Sequence, residues 1–515
     1  MMIFIRKNLN LLLTLVAFAA FLVTAGGGMP TKDFFITLLR GFSSGSITFL
    51  VAAGFSLIFG LLDVLNLAHG TLFMIGAYIG WTMYVRPDTI VDIVTPLLLI
   101  YSGFTLTDFW DWLRSKIVPT RSIHRAIPWA GLIMAGLLLF IILPRYPIST
   151  WSTGDYAQSP VTYSFNADQG TRIIPPSAEF SDINQGLAIL GLVAASCMAS
   201  FSLGLFSATQ HQVSKLSLRT FTPYIGLVVI GVGVLMANKP ISAFLSSLDS
   251  NWLFLLAILT ALASGAGLGA MIESAMIRPL YSRPIYQLML TLGLSAIGIE
   301  IVRSVWGRPE FTIPTPSLFN GSGEGCPATS FTAWWEHHCS TILLLGGRVR
   351  VYNEIFIPLV GIFVLMAVWV LLKRSRLGMI IRAGVQDREM VEALGINVRR
   401  VFTMVFALGV SLAALGGILA APAMGLSNAM GESLLLNALI ALAIGGLTSY
   451  PGAALGSLLV GLIQQFMIKY GAIGIPIPFT DILFKPTPPI VPASTVLLMV
   501  IILLILPNGL LGKKE

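Results

Sequence analysis

Long uninterrupted apolar runs dominate the chain, separated by short polar breaks. Leu132–Leu143 and Val496–Leu506 are examples. A hydrocarbon core of about 30 Å needs about 20 helical residues, and runs of that order recur at 9–25, 34–62, 67–85, 90–106, 127–143, 186–206, 224–237, 252–272, 286–305, 355–372, 401–420, 434–447, 453–470 and 490–506. The pattern predicts an all-α polytopic transmembrane helical bundle of about 14 spans, with 12 as the lower bound. The stretch 34–62 is long enough for one kinked span or two, and 224–237 and 434–447 are short. A membrane β-barrel would show short alternating segments instead.

Composition supports this reading. Of 515 residues, 56% are apolar and 10% charged, against about 25% charged in soluble domains; the mean hydropathy is +0.85. So few charges cannot cover a water-facing surface. Fifty glycines and 28 prolines suit membrane helices, which tolerate both and use glycine for close packing.

The net charge of +8 changes the picture only through its placement. Basic residues gather in alternate loops: Arg6 and Lys7; Arg114, Lys116, Arg121 and Arg125; Lys215 and Arg219; Arg278 and Arg283; Lys373 to Arg400; Lys513 and Lys514. By the positive-inside rule this predicts both termini on the cytoplasmic side and excludes a nucleic-acid-binding face. Residues 1–33 would add an N-terminal helix, retained rather than cleaved as a signal peptide. The long polar segments 144–185 and 306–354 would lie outside.

Cys197, Cys326 and Cys339 are too few for a disulfide framework or a zinc cluster. Cys326 and Cys339 share an outside segment, where oxidation is permitted. Spacing leaves open whether they bridge or remain two thiols.

Three stretches break the apolar pattern in informative ways. In Gly60–Gly70, Asp63, Asn66 and His69 sit at membrane depth with almost no loop around them. Polar groups there are costly, and backbone leaves a helix only where protein or a water-filled cavity receives it. A broken helix bordering a translocation path fits Asn66, His69 and Gly70; a tight turn in which His69 caps a helix end is the alternative. No second histidine or carboxylate stands at metal-ligand spacing. In Ala443–Gly456, Gly445-Gly446 and Pro451-Gly452 interrupt the helix and allow close backbone approach. These two breaks resemble each other loosely, as in repeat-built transporters. In Lys373–Arg400, Asp387 can cap a short helix that Gly395 ends. Met390, Val391 and Leu394 would form its apolar patch, suited to a groove on another protein.

Taken in order, these stretches resemble the permeases of branched-chain amino acid ABC importers. The residues that carry the resemblance are Gly60–Gly70 with Met74-Ile75-Gly76-Ala77-Tyr78, then Glu273 and Arg278-Pro279-Leu280, then Pro316–Gly321. Ser375-Arg376-Leu377-Gly378 through Arg382-Ala383, Ala393–Asn397, Gly445-Gly446, Pro451-Gly452 and Pro507–Gly512 complete the series. The resemblance spans 34–85 and 252–515, the two parts of a permease core with interrupted helices. It implies a transmembrane path shared with a second permease subunit, a periplasmic substrate-binding protein, ABC ATPase subunits, and a multi-pass place in a bacterial inner membrane. Gly378, Arg382, Ala383, Asp387, Ala393 and Gly395 would couple the 373–400 loop to the ATPase. No G-x-x-x-x-G-K-[ST] stands in the chain, so ATP would be hydrolysed on a partner and no cofactor or enzymatic activity is expected here.

Residues 86–251 depart from the family pattern. They read as an insertion of four spans, expected at the periphery, with 144–185 beside the outer entrance. The path itself is expected to be poorly charged. A permease of the same type for urea, short amides or another small polar solute is the alternative. An ion-coupled secondary transporter is the alternative of another class. It would want mid-span carboxylate pairs, whereas Glu273 and Glu300 stand near helix ends.

Overall fold

The computed structural model describes residues 16, 18–20, 23–24, 26–106, 108–110, 112–113, 126–148, 153–170, 180, 183–206, 220–386, 388–476 and 483–512. The predicted helix at 9–25 falls mostly outside the described residues, and Asp387 and the terminal lysines lie outside them.

The architecture is all-α. In chain order the helices are α1 (Thr31–Leu62), α2 (His69–Val85), α3 (Pro87–Ser102), α4 (Ala126–Ile142), α5 (Thr153–Asp168) and α6 (Gln185–Phe206). They continue with α7 (Thr222–Met236), α8 (Asn238–Ser247), α9 (Ser250–Ile272), α10 (Pro284–Trp306), α11 (Phe331–His337) and α12 (Ile357–Arg374). The last six are α13 (Arg376–Gln386), α14 (Arg388–Ala393), α15 (Val398–Met424), α16 (Met430–Gly445), α17 (Tyr450–Ile473) and α18 (Ile490–Ile505). Among the described residues, nine helices are long and apolar enough to cross a membrane, or ten with α7 and α8 taken as one span bent by 69°. α16 and α18 are shorter apolar helices. The stretch 34–62, open to a kink or to two spans from sequence, lies within the one continuous 32-residue helix Thr31–Leu62.

Contacts divide the chain into two compact units, Met1–Trp81 with Asp249–Glu515, and Thr82–Leu248. In the first, α1 and α15 are the helices most enclosed by others. Small residues are interspersed with large apolar ones along both, and glycines remove the Cβ where backbones cross. A Cβ on Gly45 would stand 3.0 Å from the Leu458 Cα of α17, and one on Gly269 would stand 2.9 Å from the Ala407 Cα of α15. Membrane helices have no hydrophobic drive toward one another, so this close van der Waals approach is what holds them. α10 and α12 keep most of their side chains outward, as lipid-facing helices do.

Helix ends are set locally. The Asp249 carboxylate accepts from the Asn251 N–H (2.8 Å) to start α9, and Asn397 accepts from the Arg400 N–H (3.2 Å) to start α15. Between α10 and α12, the hairpin β1 (Thr341–Leu344) and β2 (Gly347–Arg350) is antiparallel. The bond left open by sequence is present there: Cys326 and Cys339 form a disulfide. A second two-stranded pair, β3 (Ile475–Pro476) and β4 (Leu483–Phe484), follows α17.

The second unit packs α3, α4, α6 and α7 around Leu99, Ile142, Tyr146, Ala188 and Leu192. Its polar groups pair internally. Arg86 and Asp88 form an ion pair (2.8 Å), and Asp92 accepts from the Asn238 amide (2.8 Å).

Candidate functional site

The first predicted break is real. α1 ends where Asp63 adopts a left-handed conformation (φ 53°), and its N–H donates to the Phe59 carbonyl. Residues 63–68 leave the helix, and α2 begins at His69. Asn66 and His69 are fully buried. Asn66 Oδ1 accepts from the Ala68 N–H (3.1 Å), and the His69 ring Nε2 lies 3.1 Å from the Val51 carbonyl. The His69 ring also meets Phe55 edge-on at 5.8 Å. A Cβ on Gly70 would strike the Gly431 carbonyl of α16, and one on Gly431 would strike Gly70 in turn. His69→Ala is expected to lower the detergent-solubilised chain's thermal stability by roughly 2–4 kcal/mol through lost packing and a lost buried hydrogen bond. Gly267→Ala on α9, where an added Cβ meets nothing within 4 Å, is the neutral control.

The second break is a seam between α16 and α17. Gly446 takes φ +104°, and Ser449 caps α17 by accepting from the Gly452 N–H (3.2 Å). Pro451 occupies the first turn, where its missing N–H costs nothing. A Cβ on Gly445 would meet the Gly452 carbonyl, and one on Gly452 the Gly445 carbonyl. The chain's end closes over this point, with the Leu510 N–H donating to Ile444 O (2.8 Å) and the Leu511 N–H to Gly445 O (3.0 Å).

The segment 373–400 forms two short helices: α14, at the place expected between Asp387 and Gly395, and α13 before it. Leu377, Ile380 and Ile381 of α13 pack on Val401 and Val405 of α15 and on Leu61 and Leu62 at the end of α1. Ser375 Oγ accepts from the Gly378 N–H (2.9 Å). A Cβ on Gly378 would strike the Leu371 and Leu372 carbonyls, and Arg382 donates to Leu372 O. Ala383 is half-buried and Ala393 is exposed. Gly395 ends α14 at φ +79°. One part of the expected apolar patch is corrected: Val391 is buried, because Met390 and Leu394, four apart, share the exposed face and Val391 stands a step round the helix from them. Met390 and Leu394 stand exposed, joined by Met379 of α13.

Glu273, from sequence a motif position near a helix end, is fully buried in a one-turn π-helix that follows α9. Its carboxylate accepts from Arg278 Nη2 (2.7 Å), Tyr281 Oη (2.8 Å) and Thr403 Oγ1 (2.7 Å). The bonds tie the end of α9 to the start of α15. Glu300 instead pairs with Arg303 on an exposed face.

A cavity of about 460 Å³ opens in the first unit where α1, α15, α16 and α17 meet the segment 350–354. Ile47, Ala423, Met424 and Leu434 supply apolar wall; Arg40, Arg350 and Glu354 supply charge; Asn353, Asn437, Gln464 and Gln465 supply amides. None of Asn66, His69, Gly70, Gly445, Gly446, Pro451 or Gly452 is among the lining residues. Their side chains and backbones occupy helix crossings instead. Sequence reasoning passed over the cavity residues. The signal was available in Arg40, Asn437 and Gln464, polar side chains inside predicted spans, where such residues are costly and functional by default.

A bundle of membrane-length helices with glycine-lined crossings defines a multi-pass α-helical membrane protein. A family model described as the permease component of branched-chain amino acid transport systems matches residues 216–506. The chain belongs to this family of ABC transporter permeases, whose membrane subunit is not itself catalytic. The high-affinity branched-chain amino acid transport system permease protein LivH of Escherichia coli K12 is 26% identical over 271 residues, covering 52% of this chain and 78% of LivH. The corresponding permease protein BraD of Pseudomonas aeruginosa is 32% identical over 172 residues, covering 33% of this chain and 51% of BraD. No solved structure matches.

Proposed function

We propose that this chain, with a second permease subunit, forms the transmembrane path of an ABC importer for branched-chain or related amino acids. It sits in a bacterial inner membrane with both termini inside, receives substrate from a periplasmic binding protein, and is driven by separate ATPase subunits. The two glycine-lined breaks border the path by holding its helices at close crossings. Residues 86–251 are an insertion into the permease core.

The observation that carries this reading is the surface of α13 and α14. One side is anchored on α1 and α15 through Leu377, Ile380 and Ile381. The other presents Met379, Met390 and Leu394 to solvent, Leu394 at 72% exposure. An element fixed to two core helices and apolar on its free side can be pushed by a partner, and the push reaches the helices that enclose the cavity. An ATPase groove is the occupant we assign to it, with Gly378, Arg382, Ala383, Asp387, Ala393 and Gly395 forming the coupling region.

Gly395→Pro tests this directly. Proline cannot take the φ of +79° found there, and the Gly395 N–H now donates to the Glu392 carbonyl (3.0 Å). The variant is expected to lose uptake and ATPase copurification while the permease still elutes as a folded species. Leu394→Asp should weaken copurification roughly tenfold or more, as loss of an interface anchor does. Uptake at the wild-type rate in either variant would refute the docking role.

A further inference from the structure

The cavity between α1, α15, α16 and α17 is charged, and its charges are unevenly engaged. Glu354 is 3% exposed and both its oxygens are occupied. Oε1 accepts from Arg40 Nε (2.9 Å) and Oε2 accepts from the backbone N–H of Arg350 (2.8 Å). The amides of α16 and α17 satisfy each other: Gln464 Nε2 donates to Asn437 Oδ1 (3.0 Å), and Ser44 Oγ donates to Gln464 Oε1 (3.4 Å). The Arg350 guanidinium is different. It lines the cavity as an exposed side chain, and among the described residues it has no hydrogen-bond or ion-pair partner within the protein, so its donors face the open side of the cavity.

From this arrangement we infer that the cavity is a binding site for a solute carrying a free carboxylate, recognised by Arg350 and the remaining amino groups of Arg40. Guanidinium and carboxylate match as a two-pronged pair, which no neutral amide reproduces. Glu354 is a positioning residue. Its carboxylate neutralises one of the two arginines and holds the backbone of the other, leaving a surplus of one positive charge for the ligand. Across the cavity, Ile47, Met424 and Leu434 form an apolar wall that receives an aliphatic side chain. A volume of about 460 Å³ lies within the roughly 300–1,000 Å³ usual for small-molecule sites. The site rests on the functional reading above and sharpens it: a solute needs its carboxylate at the permease itself, so urea and short amides are rejected here.

The test uses the purified full chain in lipid nanodiscs, apart from any binding protein. Gln465→Cys in a Cys197→Ser background places a reporter thiol at the cavity, and its rate of modification by a water-soluble thiol reagent is measured. L-Leucine is expected to slow modification, with L-leucinamide and urea without effect. Arg350→Gln should raise the L-leucine concentration needed for protection roughly tenfold or more, the scale of a lost charge-assisted hydrogen bond. Arg350→Lys should recover only part of the effect. An unchanged rate without ligand in both variants shows that the cavity is still folded. Equal protection by L-leucinamide overturns the carboxylate assignment, and so does undiminished protection by L-leucine in Arg350→Gln. Absence of protection by L-leucine overturns the cavity as a binding site. Uptake of labelled L-leucine by the assembled transporter is followed in parallel. If it is absent in the wild type, the functional reading fails; uptake without protection removes only the cavity site.

Discussion

Gly452→Val is expected to eliminate the folded permease, seen as loss of the monodisperse peak when the detergent-extracted chain is run on a sizing column. At this position a Cβ would meet the Gly445 carbonyl oxygen, lie 2.8 Å from its carbon and 3.0 Å from the Ser449 Cβ. The neighbours are backbone and a capping residue, so no side chain can swing aside. Overpacking in ordinary cores costs about 1–3 kcal/mol because side chains and backbone share the adjustment. Here two rigid helix ends would have to separate, and the tail bonds from Leu510 and Leu511 onto Ile444 and Gly445 would open with them. A cost above that range removes much of a native stability of about 5–15 kcal/mol. Gly452→Ala should show a weaker form of the same defect. A normal peak for Gly452→Val would mean that the α16–α17 seam is looser than its backbone contacts describe.

Glu273→Ala is expected to cost roughly 3–5 kcal/mol, the range for removing one partner of a buried ion pair. The Arg278 side chain retains about a third of its exposure, and water reaching it places the value at the lower end. The residue's two oxygens serve three side chains, Arg278 and Tyr281 from the turn that follows α9 and Thr403 from α15. Its loss leaves the Tyr281 hydroxyl without its acceptor and the Arg278 guanidinium without its counter-charge. The measurement is a thermal melt of the solubilised chain, with the midpoint expected to fall by several degrees. Glu273→Gln separates the two contributions: it keeps an acceptor for Tyr281 but no charge for Arg278, and should fall between the wild type and Glu273→Ala. A melt unchanged in both variants would show that α9 and α15 are held by their glycine contacts alone.

Much of the fold was legible in the chain because membrane helices announce themselves by length and apolarity. The helix ends at Leu62 and His69, the break after Gly445 and the turn at Gly395 were all foreshadowed by polar or glycine residues within apolar runs. The one-helix reading of Lys373–Arg400 was too simple. A further short helix forms there because Ser375 Oγ accepts from the Gly378 N–H and starts α13 against the end of α12. The cavity was not legible. Its charges come from Arg40, near one end of the chain, and from Glu354, more than three hundred positions away.

Apolar periodicity and length were enough to determine an all-α membrane bundle, and motif order was enough to place the chain among the permeases. Both properties are local, since each helix satisfies its own backbone hydrogen bonds and needs no neighbour to declare itself. Only the tertiary structure decided what the polar residues do. Which groups the His69 ring meets, whether Cys326 meets Cys339, and whether Arg350 finds a partner depend on which segments of the chain come within a few ångströms. That proximity is a property of packing, and spacing along the chain does not encode it.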